Sequence, residues 1–177
     1  MTPYSRSQVF DTIGFQRQHQ EEVMASANID ECPIVNHESD SDETKSSKNK
    51  LEEVVEMMKR RRINIMGISE TKWKGSGSRE VGQGYRIWWS GGEIGRRNGV
   101  AIVMDKKMTS RVMKVDVVSE RIIKVTVRME GEIMDIIQVY APQTGCTDDE
   151  KREFEEDLER QVKEERTIII GDFNAQV

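Results

Sequence analysis

Three short runs carry scarcely a polar side chain: residues 63–69 (INIMGIS), 99–104 (GVAIVM) and 167–170 (TIII). Runs this short, rich in Ile and Val, fit strands covered on both faces better than buried helices. Between them, residues 111–118 and 121–129 alternate apolar with polar side chains. That is the pattern of half-exposed antiparallel strands joined by a tight turn. Residues 85–90 (YRIWWS) and 133–140 also have strand composition, and Pro142 closes the latter because proline cannot feed a central ladder. Residues 71–84 and 91–98 read as loops. Helical spacing places Leu51, Val54, Val55 and Met58 on one face, with glutamates ahead of them and Lys59 to Arg62 behind, as the helix dipole favours. A second helix is predicted from a cap at Thr147 or Asp148 to about Glu165, with Phe154, Leu158 and Val162 on its apolar face. The order helix, strand, several antiparallel strands, helix, strand predicts an α/β fold with a mixed, mostly antiparallel sheet.

Composition matters most at the N-terminus. The chain has 177 residues, 36% hydrophobic and 33% charged, which is more polar than an average domain. Residues 36–50 (NHESDSDETKSSKNK) contain no large apolar side chain and cannot offset the entropy of ordering. Residues 1–49 are therefore read as a disordered tail, with a short helix over 16–27, and residues 50–177 as the folded domain. Charge is also segregated. Residues 59–128 hold 17 Lys and Arg against 6 Asp and Glu, whereas residues 148–177 hold 5 against 11. A basic middle can face phosphates even though the net charge is −5. Two cysteines (Cys32, Cys146) and two histidines (His19, His37) are too few for a disulfide framework, a structural zinc site or a His-based triad. No apolar run approaches the about 20 residues of a membrane span, and the N-terminus lacks the apolar core of a secretion signal. The expectation is an intracellular chain with no membrane partner.

The residues able to do chemistry stand at strand exits. Glu70 follows the first buried run, Tyr140 closes IIQVY, and Asp172 and Asn174 follow the last buried run. Ligand sites in α/β sheets favour the carboxyl ends of strands. A carboxylate held there suits Mg²⁺, which takes oxygen ligands and often only one or two protein carboxylates. A second carboxylate can orient or deprotonate a water, and an amide can hold a phosphate oxygen. Singly, such residues more often make turns and caps. Gly75-Ser76-Gly77-Ser78 lacks the Gly-Lys-Ser/Thr ending of a phosphate-binding P-loop.

Together, ISETKW, NGVAIV, QVYAPQ and GDFNA stand in an order and spacing that resembles the endonuclease/exonuclease/phosphatase superfamily. The loops WKGSGS and WSGGEIGRRNGVAIV are similar to its RTE-type non-LTR retrotransposon endonucleases. The resemblance covers about residues 50 to 177. It implies a partial four-layer α/β sandwich of the DNase I-like type, Mg²⁺ or Mn²⁺ as cofactor, DNA as partner and hydrolysis of a phosphodiester. By the same resemblance Glu70 would bind the metal, Asp172 would orient and activate the attacking water, Asn174 would contact the scissile phosphate, and the Tyr140 hydroxyl would lie beside it. Lys72, Trp73, Lys74, Arg96, Arg97 and Asn98, on the two loops, are the candidate nucleic-acid contacts. A DNA substrate would imply a nuclear location. Two family features find no match in this reading: a first strand ending in a Trp-Asn type motif, and a Ser-Asp-His motif after GDFNA. The expectation is therefore a truncated endonuclease-like domain, weakly active or inactive. The alternatives are a catalytically dead nucleic-acid-binding remnant and, further off, a superfamily phosphatase.

Overall fold

The computed structural model describes residues 15–18, 22–28, 43–92, 98–163 and 166–174. Two sheets stack face to face. The six-stranded sheet runs β1-β2-β3-β6-β5-β4, built from β1 (Phe15–Gln18), β2 (Glu22–Asn28), β3 (Ile65–Ser69), β4 (Ser76–Val81), β5 (Tyr85–Ser90) and β6 (Val100–Met104). The four-stranded sheet runs β10-β9-β8-β7, from β7 (Val112–Ser119), β8 (Ile122–Met129), β9 (Glu132–Tyr140) and β10 (Thr167–Asp172). β2 with β3 and β9 with β10 pair in parallel, and all the other pairs are antiparallel. Three helices complete the order: α1 (Glu43–Arg61), the short α2 (Lys106–Thr109) and α3 (Asp148–Gln161).

The apolar patterns explain the layering. Leu51, Val54, Val55 and Met58 of α1 pack on Met66, Ile68, Ile87 and Val103, the outer face of the larger sheet. Between the sheets lie Met24, Ile65, Ile102 and Met104 from one side and Ile123, Val125, Ile136 and Ile168 from the other. Phe154 of α3 packs on Ile122, Ile137 and Val139, the outer face of the smaller sheet. The result is helix, sheet, sheet, helix: the four-layer α/β sandwich expected above. β3 and β6 are buried at every position because both of their faces are covered, which is why they read as continuous apolar runs. β7 lies at an edge and stays half exposed, hence its alternation. α3 starts with a capping box in which Thr147 and Glu150 bond each other's backbone N–H.

Several expectations are corrected. Of the short helix expected over 16–27, residues 16–18 and 22–27 are strand instead, within Phe15–Gln18 and Glu22–Asn28, and 19–21 lie outside the described residues. β2 pairs along β3, with Met24 buried between the sheets and Ala25 under α1, so the folded unit begins well before residue 50. Its sequence EVMASAN hides this, because a strand squeezed between two packed layers uses small side chains that carry little strand propensity. α1 also starts earlier, at Glu43, inside the polar stretch expected to be disordered. Part of the loop predicted over 71–84 is β4, which pairs with β5 from Ser76↔Ser90 to Val81↔Tyr85. Its polar composition reflects an edge strand exposed along most of its length. No helix among the described residues is long and apolar enough to cross a membrane.

Candidate active site

Strand periodicity aims the site. On β3, Ile65, Gly67 and Ser69 share a face, and Ile65 packs between the sheets. On β9, Ile136 and Tyr140 face the same interior, and β10 brings Asp172 level with Tyr140 in the parallel register. The two parallel pairs thus end together at one rim of the sandwich. There the Tyr140 hydroxyl donates to Glu70 Oε1 at 2.7 Å, a bond between the two sheets. Gln143 Nε2 donates to the Tyr140 hydroxyl at 2.9 Å. Asn174 N–H donates to Asp172 Oδ1 at 2.8 Å, and Asn174 Nδ2 donates to the Ala141 carbonyl at 2.6 Å. Arg121 caps the far side: Nη1 donates to the Tyr140 carbonyl at 3.2 Å, and the guanidinium lies 5.4 Å from the Tyr140 ring centroid.

Two site residues hold left-handed backbone, Glu70 at φ 56° and Asn174 at φ 45°. Asparagine visits this region readily and glutamate does not. Strain of this kind persists only where the surroundings over-determine it. Around Glu70, the next residue, Thr71, is buried and gives its N–H to the Gly99 carbonyl at 3.2 Å.

Tyr140 is 3% exposed. Its pKa is pushed up to about 12, first by burial, then by the hydrogen bond to Glu70 and the charges of Glu70 and Asp172, against a smaller opposing effect of Arg121. The phenol therefore stays protonated, and a donor, at neutral pH. The native state keeps this proton up to about pH 12, whereas an unfolded tyrosine releases it near 10. The associated stabilisation is complete below pH 10 and is lost as pH rises toward 12. Urea unfolding in EDTA from pH 9 to 11.5 is expected to show a steeper loss of stability in the wild type than in Tyr140→Phe. Equal slopes would contradict the raised pKa of Tyr140.

The structure brings Glu70, Tyr140, Asp172 and Asn174 to one rim. The loop candidates divide. Lys72 and Lys74 are exposed beside Glu70. Trp73 is partly buried and meets Trp89 edge to face, with centroids 5.8 Å apart, so much of its ring is committed to packing on the outer core. Asn98 gives its amide to Glu120 Oε1 at 2.6 Å. Arg96 and Arg97 lie outside the described residues. Sequence reading missed Gln143, although it closes the quoted run QVYAPQ three residues after Tyr140. Arg121 was read only as the start of a strand. Sequence reading also missed β2, which ends at Asn28 in register with Ser69, the residue before Glu70.

No group of three or more His, Cys, Asp or Glu among the described residues forms a metal cage. The donors at the rim are oxygen donors, two of them carboxylates. That set fits Mg²⁺ or Mn²⁺, which bind through few protein carboxylates and complete their shell with water and phosphate.

The Endonuclease/Exonuclease/phosphatase family model matches residues 25–176. Craniofacial development protein 2 of Bos taurus is 36% identical over 132 residues, which cover 72% of this chain and 22% of that protein. The Tragulus javanicus protein of the same name is 34% identical over 132 residues, covering 72% and 23%. The chain thus spans less than a quarter of the length of these curated relatives. Among solved structures, the endonuclease domain of TRAS1, a telomere-specific non-LTR retrotransposon, superposes with a TM-score of 0.56 at 18% identity, covering 87% of this chain and 59% of that one. D. rerio TDP2 complexed with single-strand DNA product gives 0.55 at 13% identity, covering 87% and 61%. These structural likenesses show the fold.

Proposed function

The chain belongs to the endonuclease/exonuclease/phosphatase family, and from that membership we propose that it is a divalent-metal-dependent DNA phosphodiesterase of retrotransposon-endonuclease type. One observation carries the reading. Glu70, at the exit of β3, accepts a hydrogen bond from the buried Tyr140 hydroxyl, and Asp172 is the register partner of Tyr140 on β10, so carboxylates from both sheets stand at one rim. An acidic rim of this kind calls for a cation, and the exposed Lys72 and Lys74 close to it in the chain suit a polyanion.

In this reading Glu70 would hold Mg²⁺ or Mn²⁺. The ion, when bound, supplies charge stabilisation at the phosphate and the leaving oxygen. Asp172, its Oδ1 held by the Asn174 N–H, orients the attacking water and accepts its proton. Asn174 spends one amide hydrogen on Ala141 and keeps a second for a phosphate oxygen. Tyr140 remains neutral and hydrogen-bonded, which fixes the Glu70 carboxylate. Lys72 and Lys74 meet the DNA backbone. Slow turnover belongs to the same proposal, as does the nuclear location that a DNA substrate implies.

Supercoiled plasmid incubated with the purified chain is expected to convert to open circles in Mg²⁺ and to remain supercoiled in EDTA. Salt-sensitive plasmid binding without nicking in either buffer would overturn hydrolysis and leave a binding module.

A further inference from the structure

We propose that Gln138 is a positioning residue for Glu70: its buried carboxamide ties β9 to β3 one residue before Glu70 and so sets where that carboxylate stands, an inference that rests on reading Glu70 as the metal ligand. Gln138 is completely buried. It lies two residues before Tyr140 and shares its strand face, in the apolar interior between the sheets. Its Nε2 donates to Ser69 Oγ at 3.0 Å and to the Val139 carbonyl at 3.2 Å. Ser69 is itself buried, and the chain turns into the left-handed conformation of Glu70 immediately after it. Two polar rungs therefore cross the sandwich in succession, Gln138–Ser69 inside and Tyr140–Glu70 at the rim.

Stability does not account for the inner rung. Among the described residues Gln138 Oε1 has no hydrogen-bond partner. A buried carbonyl left unpaired is costlier than an apolar side chain of the same shape. The fold nevertheless makes room for it. Gly67 faces the carboxamide, and a Cβ at that position would lie 1.7 Å from Oε1. The other buried side-chain polar atom without a partner among the described residues is Thr71 Oγ1. The two residues that carry these unpaired atoms thus bracket Glu70: Gln138 bonds Ser69 before it through Nε2, and Thr71 follows it. Residues that break packing rules together around one position mark function sooner than stability.

The test uses the full chain with Gln138→Met, nearly isosteric, and Ser69→Ala, which removes the acceptor. Three quantities are read: thermal midpoint, affinity for Mn²⁺ alone by calorimetry, and amide hydrogen exchange at residues 70–72. Gln138→Met is expected to keep or raise the midpoint. It should weaken Mn²⁺ binding roughly 10–100-fold, as loss of outer-shell partners does at metal sites, and speed exchange at 70–72 about tenfold or more, in line with local rather than global opening. Ser69→Ala should weaken Mn²⁺ binding comparably, and the double variant little more than either single one. Wild-type affinity and wild-type exchange in both variants would overturn the proposal. So would a lowered midpoint with faster exchange throughout both sheets, the mark of a purely structural role. If Glu70→Gln leaves Mn²⁺ binding unchanged, the metal reading fails; local exchange in Gln138→Met then decides the positioning role by itself. Should that variant not fold, Ser69→Ala decides by the same readouts.

Discussion

Asp172→Ala is expected to lower Mg²⁺-dependent plasmid nicking by roughly 10²–10⁴-fold, the range a general base contributes. The carboxylate sits on the last residue of β10, level with Tyr140 in the parallel register, and its Oδ1 is held by the Asn174 N–H. A water oriented by Asp172 would attack a phosphate facing Glu70 and Tyr140, and alanine removes both the orientation and the proton acceptor. The fold should survive. β10 bonds β9 through its backbone, and the Asp172 carbonyl still accepts the Ala141 N–H. The thermal midpoint and plasmid binding are therefore expected to stay near wild type while nicking disappears. A variant that nicks at the wild-type rate would show that the reaction does not run through this rim.

Gly171→Ala is expected to destabilise the chain by about 3 kcal/mol or more, the range of severe backbone and overpacking effects. Gly171 has φ +143°, and a Cβ built there would lie 2.0 Å from the Val139 carbonyl oxygen. The two residues are register partners, so the clash cannot be relieved by turning a side chain; β10 must move away from β9. The consequence reaches the site, because the next residue is Asp172. Urea denaturation should show a large fall in midpoint, or, if β10 alone detaches, loss of amide protection over residues 167–172 together with loss of nicking. Unchanged stability with unchanged protection would refute the close approach.

Much of the scaffold was legible in the chain. Continuous apolar runs marked β3 and β6 because strands covered on both faces have no polar side to show, and a shorter run marked β10, a half-buried edge strand. Alternation marked β7 and β8, and helical spacing marked the packed faces of α1 and α3. Strands without a hydrophobic signature escaped. β2 packs Met24 and Ala25 into different layers with little apolar pattern around them, and β4 is exposed enough to be almost wholly polar. With β2 missed, the asparagine at its end was missed as well.

By itself, the sequence determined which residues of the site stand at strand exits, because an apolar run and the polar residue that ends it are neighbours in the chain. Only the tertiary structure decided which exits meet. Tyr140 and Glu70 are 70 residues apart, Gln138 and Ser69 are 69, and Asn28 reaches the rim only through parallel pairing with β3. The physical reason lies in the sandwich. Each sheet must bury one face against the other, and the register of the two parallel pairs then fixes which polar residues emerge together where the apolar interior ends.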